Sequence, residues 1–149
     1  MKIYIGADHN GFGLKHNLSD YLKRAGYDVV DVGDDHLDPN DDFPVYANKV
    51  AEAVFQNPEN YLGIVICGSG AGVCIAANRY KGIYCTIALN VEQVKSARSH
   101  DHINVLSLAA DHTTEDQANE LVDTFINTEL NTQRKYKKRL EMVDEEKKY

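Results

Sequence analysis

Short runs rich in Ile, Val and Tyr recur five times along the chain, at residues 2–6, 27–32, 62–67, 83–89 and 104–108, with helix-length segments between them. Those segments carry helical spacing: Leu14, Leu18, Tyr21 and Leu22 within 12–25, and Ala47, Val50, Ala51, Val54 and Phe55 within 45–55. Further helices are expected at 72–79, 91–100, 114–128 and 132–146; the segment at 114 opens with Thr114-Glu115-Asp116, a cap followed by an acidic first turn. Strands that alternate with helices are joined by crossovers, which bring each strand back parallel to the last and lay a helix on a sheet face. The pattern predicts an α/β fold: a three-layer α/β/α, Rossmann-like domain with a five-stranded, mainly parallel sheet and an extra C-terminal helix. Ligands of such sheets bind beyond the carboxyl ends of the strands. There stand Asp8-His9 after the first run, Cys67-Gly68-Ser69-Gly70 after the third and Leu89-Asn90 after the fourth, while His100 ends the helix before the fifth.

A chain of 149 residues fits one domain, 1–149. No apolar run approaches the roughly 18 residues of a membrane span. The amino terminus passes directly into a strand pattern without the apolar stretch of a signal peptide, so a cytoplasmic protein with no membrane partner is expected. Cys67, Cys74 and Cys85 are odd in number and lie in apolar segments, which argues against a disulfide framework or a C-x-x-C metal site. The net charge of −7 argues against nucleic acid as a partner. Its distribution is uneven: residues 1–131 hold 9 Lys and Arg against 19 Asp and Glu, whereas 132–149 hold 7 against 4. Arg134, Lys135, Lys137, Lys138 and Arg139 make that end a cationic patch, with Lys135 and Arg139 on one helical face. Such a patch is either a solvated terminal helix or a clamp for a small anion.

The third run, Ile64-Val65-Ile66-Cys67, breaks at once into Gly68-Ser69-Gly70-Ala71-Gly72. Glycine accepts positive φ and lets a ligand approach the main chain, so this loop can turn its amides inward at the start of a helix. It is either an anion hole or a tight turn with no ligand. It is not a P-loop, because Val73-Cys74 stand where Lys-Ser or Lys-Thr is needed, and it lacks the spacing of a dinucleotide fingerprint. It is not a serine elbow, because Cys67 occupies the place of the first glycine. Cys67 is either a core thiol or, before a helix amino terminus that favours thiolate, a base or nucleophile. Cys74 and Cys85 lack that setting and read as packing residues.

Asp8-His9 offers a carboxylate and an imidazole, or simply a cap with a surface His. In His100-Asp101-His102 the two histidines do not share a helical face and no third ligand has a matching spacing, so the segment does not read as a zinc site. Proton transfer is the better use of His100; the alternative is a histidine set against the helix dipole. His16, His36 and His112 carry no motif. Residues 33–43, with five aspartates, lack the glycine and glutamate of an EF-hand loop and read as a solvated connection.

Four separated segments, Gly6-Ala7-Asp8-His9, Cys67-Gly68-Ser69-Gly70-Ala71-Gly72, Ala76-Ala77-Asn78-Arg79 and Ser99-His100-Asp101-His102-Ile103-Asn104-Val105-Leu106, together resemble those of type B ribose-5-phosphate isomerases. That family also holds galactose-6-phosphate isomerase subunits and allose-6-phosphate isomerases. The resemblance spans essentially the whole chain in colinear order. It implies interconversion of ribose 5-phosphate and ribulose 5-phosphate, a step of the pentose phosphate pathway, through a cis-enediolate and without metal or other cofactor. Carried over by position, Asp8 and His100 assist ring opening, Cys67 moves the proton between C2 and C1, and Ser69 shuttles protons between oxygens. The amides from Gly68 through Gly72 stabilise the enediolate, which moves the phosphate away from the loop to His9 and a carboxyl-terminal cationic pair. The resemblance also implies a homodimer with shared active sites, in some members paired into a tetramer.

Some positions depart from the family. Aligning Arg139 with the second of two arginines puts Lys135 at the first, with Arg134 as its neighbour, and Lys lacks the bidentate fork of Arg. Phe43 stands where many members have Tyr, Asp101 where Asn is common, and Asp111 where some have Arg. Val73 replaces the glutamate that serves some members as base, which leaves that role to Cys67. Phe43 and Asp101 remain further substrate contacts. The rival readings are a galactose or allose 6-phosphate isomerase, a phosphate- or nucleotide-binding module, and a thiol redox sensor.

Overall fold

The structure is a computed structural model and describes residues 1–145. Among these, five strands form one sheet in the order β2-β1-β3-β5-β4: β1 (Lys2–Ala7), β2 (Asp28–Asp31), β3 (Tyr61–Cys67), β4 (Cys85–Ile87) and β5 (Val105–Ala109). Every pairing is parallel, so the sheet is parallel throughout and not just mainly so. The helices are α1 (Phe12–Arg24), α2 (Phe43–Phe55), α3 (Ala71–Ala77), α4 (Val91–Asp101), α5 (Glu115–Asn127) and α6 (Arg134–Asp144). A short 3-10 turn, His9–Gly11, joins β1 to α1.

Alternation along β3 builds two cores. Ile64 and Ile66 point to one face and pack with Ile3, Ile5, Leu18, Leu22, Leu106, Leu108 and Phe125, beneath α1, α4 and α5. Val65 and Cys67 point to the other and pack with Ala47, Val50, Val54, Val73 and Val105, beneath α2 and α3. Full burial of each large aliphatic residue stabilises the fold by about 1.5–3 kcal/mol. The central strands β1, β3 and β5 are covered on both sides, which is why they read as continuous apolar runs.

Several boundaries move from their sequence-based positions for identifiable reasons. The strand expected at 83–89 shortens to three residues, since the Tyr84 amide donates to the Asn104 side chain and the Ile83 amide closes a turn onto Tyr80. The helix expected at 72–79 ends at Ala77. Asn78 caps it and bonds Cys85 through both side-chain atoms, at 2.8 Å each. The second helix begins two residues early, at Phe43, with Pro44 in its first turn, where a missing N–H costs nothing. The last helix runs Arg134–Asp144, and Glu146 of the expected span lies outside the described residues.

The segment 33–43 is not simply solvated. Asp34 accepts a bond from Tyr46 through its carboxylate and one from the Lys15 ammonium, 2.9 Å, through its carbonyl. Lys15 is fully buried on α1 and also pairs with Asp31 at 2.9 Å. A buried ammonium is tolerated only when paired in this way, and here the pairing ties the segment to the sheet. Asp41 is likewise drawn inward, with a side chain 7% exposed.

Candidate active site

Cys67 and Asp8 end neighbouring strands. The Ala7↔Ile66 pairing sets their register, and the Asp8 amide extends the ladder with a 3.2 Å bond to the Ile66 carbonyl. Both are buried, at 5% exposure each. Asp8 caps the 3-10 turn, its Oδ1 accepting from the amides of Asn10 at 3.0 Å and Gly11 at 3.2 Å. The capping reading of Asp8 is therefore borne out for one oxygen, and capping leaves its second oxygen for other work.

The glycine loop turns at Gly70, whose φ of +74° lies in the left-handed region that glycine tolerates. The Ser107 hydroxyl of β5 donates to the Gly70 carbonyl at 2.6 Å and fixes the turn from below. Ser69 is exposed, and its hydroxyl accepts from the Ala71 amide at 3.2 Å. Two side chains close over the loop. The Phe43 ring lies so near Gly72 that a Cβ there would sit 2.8 Å from it, and the Asp111 carboxylate would be 2.7 Å from a Cβ on Gly68. Asp111 thus sets a negative charge beside the loop that follows Cys67.

His9 is paired with Asp41, its Nδ1 2.6 Å from Oδ1 and its main-chain N–H donating to the same oxygen at 3.0 Å. The bond to Asp41 raises the His9 pKa above its ordinary value, burial opposes this, and the charges of Asp8, Asp41 and Asp38 add to it. Asp41 moves the other way. Burial pushes its carboxyl up, but the bonds from the His9 ring and amide hold it below the ordinary value. Asp8, His9 and Asp41 bring one ligand atom each within 4.8 Å of one another. Within that group the His9 ring and the Asp41 carboxylate already bond each other. Nothing in the local sequence announces Asp41, because its partner lies 32 residues away.

The remaining site residues gather elsewhere. His100 lies in the last turn of α4, which runs back along the sheet before β5 rises, so His100 lies toward the end of the sheet opposite Cys67. From Gly63, which pairs with Val105, to Cys67 the strand rises about 13 Å. His100 stacks on Tyr136 of α6, ring centroids 4.7 Å apart and planes 3° from parallel. The Lys135 ammonium lies 4.9 Å and the Arg139 guanidinium 5.7 Å from the same ring. His100, Asp101, Tyr136 and Arg139 line a cavity of about 520 Å³ that also reaches Tyr84 and Cys85. Arg134 turns away and pairs with Glu141 at 2.7 Å.

One chain therefore collects the predicted residues into two groups. Asp8, His9, Phe43 and the stretch from Cys67 through Ser69, Gly70 and Ala71 to Gly72 form the first. His100, Asp101, Lys135 and Arg139 form the second, with Arg134 beside it on α6. Cys74 and Cys85 sit together, the Cys74 thiol donating to the Cys85 main-chain carbonyl at 3.5 Å.

A family model described as Ribose/Galactose Isomerase matches residues 3–143. A protein of Mycoplasma genitalium named probable ribose-5-phosphate isomerase B is 40% identical over 126 residues, covering 85% of this chain and 83% of the relative. Ribose-5-phosphate isomerase B of Mycobacterium tuberculosis is 32% identical over 145 residues, covering 97% and 89%. The crystal structure of the Mycoplasma genitalium ribose-5-phosphate isomerase B with bound ribulose-5-phosphate superposes with a TM-score of 0.91 at 37% identity, over 95% of this chain and 93% of that one. Fold, matched span and relatives agree, and the chain belongs to the ribose/galactose isomerase family.

Proposed function

We propose that this chain interconverts ribose 5-phosphate and ribulose 5-phosphate, and that each active site is built from two copies of it. The relatives named ribose-5-phosphate isomerase B, one of them solved with ribulose-5-phosphate, favour the pentose over a hexose 6-phosphate and an enzyme over a binding module. The observation that carries the chemistry is the seating of Cys67 beside Asp8 on adjacent strands, directly before a loop of glycine amides.

In this reading Asp8 and His100 move the protons that open the furanose ring. Cys67, as thiolate, takes the proton from C2 and returns it to C1, and Ser69 relays the proton between the two oxygens. The amides of Gly68 through Gly72 stand ready for the enediolate charge, as preorganised donors that need no rearrangement. His9 takes the phosphate with Lys135 and Arg139, Arg134 standing next to them, while Phe43 and Asp101 line the sugar. No step calls on a cofactor.

Residues 1–149 act in this reading as a single isomerase domain. His100 and the cations of α6 lie a strand's length from Cys67, so they serve the site of a second copy. A homodimer is the smallest assembly that completes it, with a tetramer as a dimer of dimers. Ile75 on α3 and Ile87 on the edge strand β4, 66% and 37% exposed, supply apolar surface for that contact. No helix among the described residues is long and apolar enough to cross a membrane, and phosphorylated sugars, being charged, are held in the cytoplasm where we place the enzyme. Turnover measured side by side on ribose 5-phosphate, allose 6-phosphate and galactose 6-phosphate tests the assignment. Ribose 5-phosphate should give the highest kcat/KM, and preference for either hexose would overturn it.

A further inference from the structure

We propose that Asp41 is the positioning residue of His9: it fixes the ring tautomer and holds the imidazole as a cation that can donate from both nitrogens. This rests on the reading of His9 as a phosphate contact.

The argument begins with the acceptor. An ionised carboxylate only accepts hydrogen bonds, so the 2.6 Å contact puts the Nδ1 proton between His9 and Asp41 and leaves Nε2 as the nitrogen free to meet a ligand. A neutral ring with Nδ1–H would offer a phosphate an acceptor at Nε2. Only the charged ring offers a donor there. Asp41 also takes the His9 main-chain N–H, so one oxygen restrains both backbone and ring.

Asp41 is itself held. Its side chain is nearly buried, and the segment that carries it is tied to α2 by the Tyr46 hydroxyl, which donates to Asp34. The charged groups around His9 are Asp8 at the end of β1 and Asp38 and Asp41 in the segment before α2, all acidic. Together they favour the imidazolium, which also offsets the repulsion that these carboxylates would otherwise present to a phosphate.

The test is Asp41→Asn, with Asp42→Asn as control, since Asp42 makes no side-chain capping bond on α2. His9 is titrated by NMR, with and without inorganic phosphate as the probe, and steady-state kinetics with ribose 5-phosphate are followed across neutral and alkaline pH. In the parent protein the His9 midpoint should lie above 6.5 and rise further with phosphate. Asp41→Asn should lower it and raise KM about tenfold above neutrality, with kcat little changed; Asp42→Asn should do neither. If Asp41→Asn fails to fold, the parent titration decides: a midpoint at or below 6.5 overturns the proposal. An unmoved midpoint in Asp41→Asn overturns it equally. A moved midpoint with KM unchanged in both Asp41→Asn and His9→Ala instead overturns the phosphate reading of His9.

Discussion

The imidazole of His100 lies flat against the phenol ring of Tyr136, 4.7 Å between centroids and 3° from parallel. Stacking of this kind is worth about 0.5–1.5 kcal/mol, and here it holds the group proposed to open the sugar ring. Tyr136→Ala should lower kcat/KM by up to about tenfold, while Tyr136→Phe, which keeps the ring, should stay near the parent value. Equal loss in both variants would show that the hydroxyl and not the stack matters.

Removing the thiol at Cys67 should stop the chemistry without removing the substrate. A positioned acid or base contributes about 10²–10⁴-fold, so Cys67→Ala should lose at least that much in kcat. Binding of ribulose 5-phosphate, measured by calorimetry, should persist. Turnover near the parent rate in Cys67→Ala would end its assignment as the base.

The cations of α6 differ in what they face. Arg139 lines the cavity beside His100 and Lys135 lies near the Tyr136 ring, whereas Arg134 is engaged with Glu141. Hydrogen bonds to charged groups are worth about 1.5–3 kcal/mol, so Arg139→Ala and Lys135→Ala should raise KM about ten- to a hundredfold. Arg134→Ala should have the smallest effect of the three. Lys135→Arg, which supplies a planar fork, should lower KM. A larger effect at Arg134 than at Lys135 would reverse the assignment.

Two inactive chains should rescue one another. If each site takes Cys67 from one copy and His100 from another, mixing Cys67→Ala with His100→Ala after unfolding and refolding gives mixed dimers with one intact site. About one quarter of the parent activity should return at equal amounts, by random pairing in a two-fold dimer. No recovery, with mixed dimers confirmed by native mass spectrometry, would place both residues in a site made by one chain.

The His9–Asp41 pair also predicts a pH window for stability. The raised His9 pKa contributes fully below the ordinary value of 6.5 and is lost as pH rises through the higher folded value. The lowered Asp41 pKa contributes fully above 3.8 and is lost as pH falls toward the lower folded value. The difference in Tm between the parent and Asp41→Asn should therefore be widest between pH 3.8 and 6.5 and narrow on either side. A difference that is flat with pH would mean that the pair does not change its protonation on unfolding.

Periodicity and glycine placement make the layered sheet, the Cys67 loop and the cap at Thr114 legible, since each rests on neighbours within a few residues. Thr114 indeed forms a reciprocal capping box with Gln117. What escapes sequence reading depends on distant partners. Asp41 looks like any loop aspartate until the chain path brings it against His9, and Lys15 looks like the polar side of an amphipathic helix until Asp31 and the Asp34 carbonyl meet it in the interior. The separation of His100 from Cys67 follows from topology, which motif order along the chain does not reveal.

Lys15 has a consequence for motion. Lifting the segment that contains Asp34 would strip a buried ammonium of one of its acceptors, and an under-satisfied buried charge is costly. Partial opening of that stretch is disfavoured by the sheet itself. The tied residue Asp34 should open less readily than the exposed residues 35–40 that follow it. Asp41 is then anchored from two sides, by His9 directly and by the tie at Asp34 earlier in its segment, before a ligand arrives.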